Sequence, residues 1–322
     1  MNKCFLEVRI PISPKPHFFN QVRYLATSLR SLGPPYDDTR FLVSVGDEND
    51  PFDIDAVCPW ARDEGIIWSW TPKDAFLKWR ADKFRYVGTM MDRFREPFTS
   101  KFVIIADADI LFMRPMPEVW DRLEQTDGVA GSMAHVSPFI EPFSTMPPGS
   151  HQDWWLRFFA AYDLRAPILV NEHPAFGLLF NDRSARRSPA YFNSGVIFGT
   201  GNSMNRLAAH AISATEAVRS VHDTIFCDQI AFTLMMYKGG VAIDVLPMRY
   251  NYPNDPGIES AFPEQLADVA VIHYLRHEIV NRVDIFRTEA AMQALLARTD
   301  LVGVNEALRH RMVYVHEYVA NW

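Results

Sequence analysis

Two aspartates one residue apart carry the strongest chemical signal in this sequence. Asp107 and Asp109 lie in the stretch Ala-Asp-Ala-Asp-Ile-Leu-Phe, directly after the apolar run Phe102–Ala106. In an extended chain, side chains at positions i and i+2 share one face with Cα atoms about 6.6 Å apart, so both carboxylates can lean toward one point. Two carboxylates this close repel each other unless a cation holds both ionised. The pair therefore predicts a divalent metal site.

The oxygen ligands of this pair narrow the choice of metal ion. Carboxylates favour magnesium, calcium or manganese over zinc, and in phosphate chemistry such an ion usually keeps positions open for substrate oxygens and water. We expect manganese, with magnesium as the alternative. A reading without metal is that Asp107 and Asp109 cap the turn after the strand, which is a common role for aspartate.

Three further polar residues have side chains suited to binding a sugar. Asn193 and Gln229 are neutral amides that donate and accept hydrogen bonds, so they can recognise hydroxyl groups without adding charge. Asp228 adds an acceptor next to Gln229. Structural roles fit the local sequence equally well, with Asn193 in a turn and Asp228 as a helix N-cap. Gly195 permits a close approach of ligand to backbone, or else marks a bulge in a strand.

Arg80 and Lys83 are the candidate cations for binding a nucleotide or its phosphates. Both fall within the stretch 74–94, whose periodicity predicts a helix before the aspartate strand. Their neighbours Lys78 and Arg85 favour the alternative that this helix presents a solvated charged face.

Alternating strands and helices must position these residues. Strand patterns cover 5–10, 40–45, 66–70, 102–106, 191–198 and 269–274, and helical patterns cover 18–32, 74–94, 204–221, 228–237, 289–298 and 306–322. Such alternation predicts a mostly parallel α/β sheet covered by helices, and open sheets of this kind bind ligands where their strands end. Pro-rich stretches at 137–150 and 246–263 are too long for ordinary connections, which makes them candidate lids or plain surface excursions.

Composition excludes some classes of protein. The chain has 322 residues, of which 48% are hydrophobic and 22% charged, as in an ordinary folded protein of one or two domains. A formal net charge of −7 argues against nucleic acid as a partner, because nucleic-acid binders concentrate lysine and arginine. An anionic nucleotide stays compatible with this charge, since one metal ion and a few cations reverse the field inside a cleft.

The cysteines and the first residues indicate the cellular compartment of the protein. Cys4, Cys58 and Cys227 form neither a paired disulfide framework nor a Cys-x-x-Cys motif. The apolar run after Lys3 is interrupted at Glu7 and is too short for a signal peptide or a transmembrane segment. We therefore expect a cytoplasmic protein, with peripheral membrane association left open and no indication of its oligomeric state.

Four short motifs, taken in order and spacing, make the chain resemble the glycosyltransferase A (GT-A) fold, and within it the family-eight enzymes. That family includes glycogenin and bacterial lipopolysaccharide galactosyltransferases. The resemblance covers roughly residues 3–280, and its specific motifs are Asp-Ala-Asp at 107–109, Tyr-Phe-Asn-Ser-Gly-Val-Ile-Phe at 191–198, Asp-Gln at 228–229 and Val-Ile-His-Tyr at 271–274. The resemblance implies a GT-A type, Rossmann-like mixed sheet, mostly parallel and flanked by helices.

The resemblance also implies how the chain is divided. We predict one glycosyltransferase domain over 1–285, with a nucleotide-binding half over about 1–135 and an acceptor-side half over about 136–285. A C-terminal helical extension follows over 286–322. Its apolar residues recur at helical spacing, which favours packing onto the body over docking to a partner or a membrane surface.

Matching motif positions carry the family's metal ligands over to Asp107, Asp109 and His273. A neutral imidazole after an apolar run could complete an oxygen-rich site, although a lone histidine there is more often a hydrogen-bonded core residue. The resemblance further implies sugar contacts from Asn193, Asp228 and Gln229, and transfer with retention of the anomeric configuration.

One motif departs from the family. The family continues its late histidine motif with glycine and then Lys-Pro-Trp, whose lysine binds the diphosphate, whereas this chain continues from His273 with Tyr-Leu-Arg-His-Glu. Arg276 is the candidate substitute, because a guanidinium binds phosphate through two hydrogen bonds. A surface ion pair between Arg276 and Glu278 is the alternative.

Together these features predict metal-dependent transfer of a sugar from a nucleotide-diphosphate-sugar donor to the hydroxyl of a carbohydrate or another acceptor. One alternative is a sugar-phosphate nucleotidyltransferase, but that class uses a Gly-rich loop near the N-terminus, and Val8–Pro16 holds three prolines and no glycine. Another is a noncatalytic nucleotide-sugar-binding subunit, against which the intact metal residues argue.

Overall fold

A seven-stranded mixed sheet forms the centre of the computed structural model, which describes residues 4–79, 87–135, 137–139, 151–173, 187–276 and 279–320. The strands are β1 (Leu6–Ile12), β2 (Arg40–Val45), β3 (Ile66–Trp70), β4 (Phe102–Ala106), β5 (Ile110–Phe112), β6 (Gly128–Met133), β7 (Asn171–Glu172), β8 (Arg187–Ser188), β9 (Phe192–Thr200), β10 (Ala242–Leu246), β11 (Tyr252–Pro253) and β12 (Val271–His273). The helices are α1 (Pro16–Arg30), α2 (Ile54–Val57), α3 (Trp60–Asp63), α4 (Lys73–Lys78), α5 (Val87–Asp92), α6 (Pro117–Thr126), α7 (His151–Ala161), α8 (Gly201–Ala208), α9 (Ala211–Val221), α10 (Cys227–Lys238), α11 (Pro256–Ala261), α12 (Pro263–Leu266), α13 (Glu289–Leu296) and α14 (Gly303–Ala320).

The strands of the main sheet follow the order β10-β6-β9-β4-β1-β2-β3. Neighbours run parallel except at β9, which is antiparallel to both β4 and β6. Strand β4 is buried along its whole length, and its successive side chains enter two apolar clusters on opposite faces of the sheet. An apolar side chain at every position is what such a central strand requires. The predicted Rossmann-like, mostly parallel α/β sheet is confirmed.

A smaller sheet in the order β11-β12-β5 brings a late segment of the chain to the end of β4. Strand β5 begins directly after Asp109, and β12 pairs with it antiparallel so that His273 lies opposite Ile110. Tyr274 donates its backbone N–H to the carbonyl of Asp109 at 3.0 Å. This register places His273 beside the two aspartates although they lie far apart in the sequence.

Helix α14 packs onto α1, which confirms the intramolecular docking predicted for the C-terminal helix. The side chains of its inner face are fully buried: Leu308, Met312 and Val315. Arg311 of α14 donates hydrogen bonds to the carbonyls of Phe112 and Ser28 at 2.7 and 2.5 Å, so this helix also contacts the end of β5. None of the described helices is long and apolar enough to cross a membrane.

Two helices predicted as single elements are each divided, so those predictions are wrong. The pattern over 74–94 belongs to α4 and α5, which approach so closely that a Cβ on Gly88 would lie 3.1 Å from Cα of Phe76. Their apolar spacing comes from two short helices packed against each other rather than from one continuous face. The pattern over 204–221 likewise covers both α8 and α9.

Candidate metal centre

Asp107, Asp109 and His273 converge at the carboxyl end of β4. One ligand atom from each lies within 4.8 Å of the others, and in the described part of the chain this is the one cluster of histidine, cysteine and acidic side chains close enough to hold a metal ion. The backbone fixes the first aspartate, since Asp107 donates its N–H to the carbonyl of Gly195 at 3.0 Å. The end of β4, β12 and the start of β9 therefore meet at one point.

The ring of His273 is held by hydrogen bonds that determine which nitrogen faces the aspartates. Its Nδ1 lies 3.1 Å from Oδ1 of Asn251, whose amide nitrogen in turn donates to the backbone carbonyl of Asn193 at 3.2 Å. Because that oxygen can only accept, Nδ1 carries the proton and Nε2 keeps its lone pair. Nε2 lies 3.4 Å from Oδ1 of Asp109. The imidazole is thus oriented as a neutral ligand.

Gly195 leaves the space that the His273 ring fills. A Cβ at this position would lie 2.3 Å from both Cε1 and Nδ1 of the ring. The neighbouring Asn193 accepts the N–H of Gly195 through Oδ1 at 2.9 Å, which keeps this turn of backbone in place. The absence of a side chain at Gly195 therefore lets the His273 ring occupy its position in the site.

We expect Gly195→Ala to weaken manganese binding by roughly 10- to 100-fold, the range seen when the support of a metal-binding histidine is disturbed. The added methyl group must push the ring away from Asp109. Titration of the variant with manganese, followed by the electron paramagnetic resonance signal of the free ion, measures the effect. Gly239→Ala is the matched control: at the C-terminal end of α10, its Cβ would meet the end of the Leu207 side chain and the carbonyl oxygen of Met235, both at 3.1 Å, and not the His273 ring. Unchanged manganese affinity in Gly195→Ala would show that the ring is not a ligand.

Arg93 lies behind the metal cluster and joins it to Asp228. Its guanidinium is 3% exposed, and its two Nη atoms lie 3.7 Å from Oδ1 of Asp107 and 3.9 Å from Oδ2 of Asp228. Burial raises the pKa of both carboxyl groups, and the positive charge of Arg93 opposes that shift. Burial also lowers the pKa of His273, which keeps the ring neutral and able to bind a metal.

The donor set fits a divalent cation. Oδ1 of Asp107 and Oδ2 of Asp228 are buried without a hydrogen-bond partner among the described residues. A buried carboxylate oxygen without a donor is costly, and a bound cation removes that cost while favouring the ionised form. Two carboxylates and one neutral imidazole supply three ligands and leave further coordination positions to other oxygens.

A cavity of about 880 Å³ opens beside these residues, a size in the range of ligand pockets. Asp107, Asp109 and Asp228 are among its lining residues. Among the described residues, its lining also includes the cations Lys15, Arg282 and Arg287. The cavity thus combines candidate metal ligands with positive side chains that suit an anionic ligand.

Of the other predicted site residues, the structure describes Gln229 and Arg276 but not Arg80 and Lys83. Gln229 is half-buried in the first turn of α10, beside Asp228. Arg276 donates through Nε to Oδ2 of Asp255 at 2.6 Å, so its guanidinium is already paired with a buried carboxylate. Arg80 and Lys83, as well as the proposed partner Glu278, lie outside the described residues. The phosphate role predicted for Arg276, Arg80 and Lys83 stays a prediction.

Three residues of the site escaped sequence reasoning: Asn251, Arg93 and Arg282. Asn251 belongs to the Pro-rich stretch 246–263, which the sequence marked as a lid or an excursion and which contains β11 and α11, with α12 beginning at its last residue. Arg93 was one of several charges in a helical pattern. Pro residues and surface-like charges gave no signal of burial, because burial here depends on partners from distant segments.

Comparison with known proteins identifies solved structures of similar fold. The sequence matches no protein-family model and no curated protein. The structure is similar to the galactosyltransferase LgtC in complex with donor and acceptor sugar analogues, at 15% identity and a TM-score of 0.52 over 84% of this chain and 87% of that one. It is also similar to an active-site mutant of LgtC, at 13% identity and a TM-score of 0.56 over 97% and 95% of the two chains.

A third match is the apo structure of the bifunctional glycosyltransferase WbbM, at 12% identity and a TM-score of 0.52 over 91% of this chain and 51% of that one. The chain has the GT-A fold. The resemblance to glycosyltransferases found in the sequence motifs is therefore confirmed at the level of the fold. Within the GT-A fold, the end of the central strand is where this chain gathers Asp107, Asp109 and His273.

Proposed function

We propose that this chain is a metal-dependent glycosyltransferase that transfers a sugar from a nucleotide-diphosphate-sugar donor to a hydroxyl acceptor. The observation that carries the proposal is the convergence of Asp107, Asp109 and His273 beside a cavity of about 880 Å³, in a chain with the GT-A fold. LgtC, which shares this fold, is described in complex with donor and acceptor sugar analogues. A metal ligand cluster beside a cavity with three cations suits a diphosphate group.

Asp107, Asp109 and His273 would hold the cation, for which we propose manganese. When bound, such an ion offsets negative charge on the leaving diphosphate as the sugar–phosphate bond breaks. Asn251 orients the imidazole of His273, and Arg93 holds Asp107 from behind. Lys15, Arg282 and Arg287 line the cavity and would offset the remaining charge of a bound diphosphate.

Asn193, Asp228 and Gln229 form the proposed sugar side of the site. Asp228 lines the cavity at the first turn of α10 and carries an unpartnered carboxylate oxygen, which is an acceptor for a sugar hydroxyl. We propose retention of the anomeric configuration, on the analogy with family-eight enzymes. NMR of the first-formed product tests this, and an inverted anomer there would rule retention out.

The three unpaired cysteines support a cytoplasmic location.

Thermal unfolding with and without manganese tests the proposal. Uridine and guanosine diphosphates are expected to raise the unfolding midpoint in the presence of manganese and to raise it far less in its absence. A ligand at 100 times its Kd adds about 2.7 kcal/mol to the free energy of unfolding. A screen of donor hydrolysis then identifies the sugar. If no nucleoside diphosphate stabilises the chain in a metal-dependent manner, the proposal fails. Release of pyrophosphate from a nucleoside triphosphate and a sugar phosphate would identify a nucleotidyltransferase instead.

A further inference from the structure

The side chain of Arg282 lies at the proposed metal site, in contact with Asp109. Its Nη1 forms an ion pair with Oδ2 of Asp109, and the two side chains are 33% and 7% exposed. Arg282 also lines the cavity of about 880 Å³ together with both aspartates of the pair. A guanidinium therefore lies against the oxygen that a divalent cation would bind.

The backbone of this segment is fixed to α1, which leaves the side chain as the part that can move. Gln21 donates its amide Nε2 to the carbonyl of Arg282 at 2.9 Å, and Asn20 donates to the carbonyl of Phe286 at 2.8 Å. Asn281 accepts the N–H of Val283 through Oδ1 at 3.1 Å, which closes a tight turn at this point. The long arginine side chain can change partner by rotating about its own bonds.

The charges around the pair explain why Arg282 lies there. Arg93 faces Asp107 and Asp228, whereas the described partners of the Asp109 carboxylate are Arg282 and the neutral His273. A buried carboxylate needs a positive partner or a strong donor. Arg282 supplies that partner, and a divalent cation bound by Asp109 would compete with it for the same oxygen.

We propose that Arg282 is a tethered cation that exchanges partners: it pairs with Asp109 when no metal is bound there, and with the donor's diphosphate once a divalent ion has taken the carboxylates. This inference rests on the proposed function, since it assumes a metal and an anionic ligand in one cavity. The exchange lowers the affinity for the metal alone, because the ion must displace Arg282 from Asp109. It raises the affinity for metal and diphosphate together, because the displaced guanidinium then pairs with the diphosphate. The coupling is reciprocal, because each ligand must favour the other by the same factor.

Manganese binding without nucleotide tests the exchange. The free-ion electron paramagnetic resonance signal gives the Kd of manganese alone for the wild type and for Arg282→Gln. In the presence of inorganic pyrophosphate, the diphosphate probe, the manganese retained with the protein on ultrafiltration is measured instead, because pyrophosphate also binds the free ion. We expect Arg282→Gln to bind manganese alone roughly tenfold more tightly, because the ion no longer displaces a guanidinium. Pyrophosphate should tighten manganese binding strongly in the wild type and far less in the variant.

Arg122→Gln is the matched control. Arg122 lies on α6, outside the cavity lining, is 54% exposed and pairs with Asp244 at 3.1 Å, so its loss should leave the affinity for manganese unchanged. Equal or weaker manganese binding by Arg282→Gln, in a variant that unfolds at the wild-type midpoint, would overturn the exchange and leave the proposed function standing. Absence of manganese binding in the wild type even with pyrophosphate present would overturn both.

Discussion

Asp109→Asn is expected to lower metal-dependent sugar transfer by roughly 100- to 1,000-fold, the loss that follows removal of one electrostatic contact to the reacting group. The amide keeps the shape of the carboxylate but loses the charge that binds the cation. Asp109 lies between β4 and β5 with its backbone carbonyl bound by Tyr274, an interaction that the substitution preserves. Initial rates over a manganese titration measure the effect.

The control for this variant is Asp300→Asn, which removes a carboxylate that is 67% exposed and paired with Arg298 away from the cavity. It should keep wild-type rates. Unfolding midpoints without added metal establish that Asp109→Asn folds. If it folds and still shows most of the manganese-dependent rate, another site on the chain carries the chemistry.

Arg93→Met is expected to destabilise the fold by about 3–5 kcal/mol and to abolish sugar transfer, because removal of one partner leaves buried charge uncompensated. Met fills a similar volume without the positive charge that faces Asp107 and Asp228. Arg93→Lys keeps that charge and should retain more of the stability, although it loses the fork that reaches both carboxylates. Urea unfolding of the three chains gives the free energies of unfolding.

A double variant separates the effect of charge from that of packing. Arg93→Met with Asp228→Asn removes one of the two buried carboxylates, so it should be more stable than Arg93→Met alone. A double variant as unstable as the single one would show that Arg93 acts through packing and through its hydrogen bonds to the carbonyls of Met90 and Ala106, at 2.8 and 3.4 Å. Activity is expected to stay absent in both, since Asp228 belongs to the proposed sugar side.

The sequence predicted the parts of this site that depend on local pattern. The run Phe102–Ala106 is apolar at every position, and this marks a central strand whatever surrounds it. Asp107 and Asp109 follow directly, so their shared location needed no tertiary information. His273 required the register between β5 and β12, and only its place in an ordered set of motifs pointed to it.

Strands β6 and β10 were missed. The residue types in this pair of strands are limited by contacts between the strands, and not only by strand propensity. Strand β6 begins with Gly128, where a Cβ would lie 2.4 Å from the carbonyl oxygen of Ala242 in the adjacent strand. A small residue is required there, and small residues give a weak strand signal. The charge partners of Arg276 and Arg282 escaped for a related reason: Asp255 and Asp109 come from other segments of the chain.

The contact between α14 and β5 has a consequence for the order in which the protein can mature during synthesis. Arg311 binds the carbonyl of Phe112, 199 residues earlier, and that of Ser28, 283 residues earlier. Domains form on the ribosome as their segments emerge, and distant contacts form late. The strand that leads away from the two aspartates therefore gains this partner only after α14 has emerged. The central sheet, whose last strand along the chain is β10, can form before the helix that secures β5 has been made.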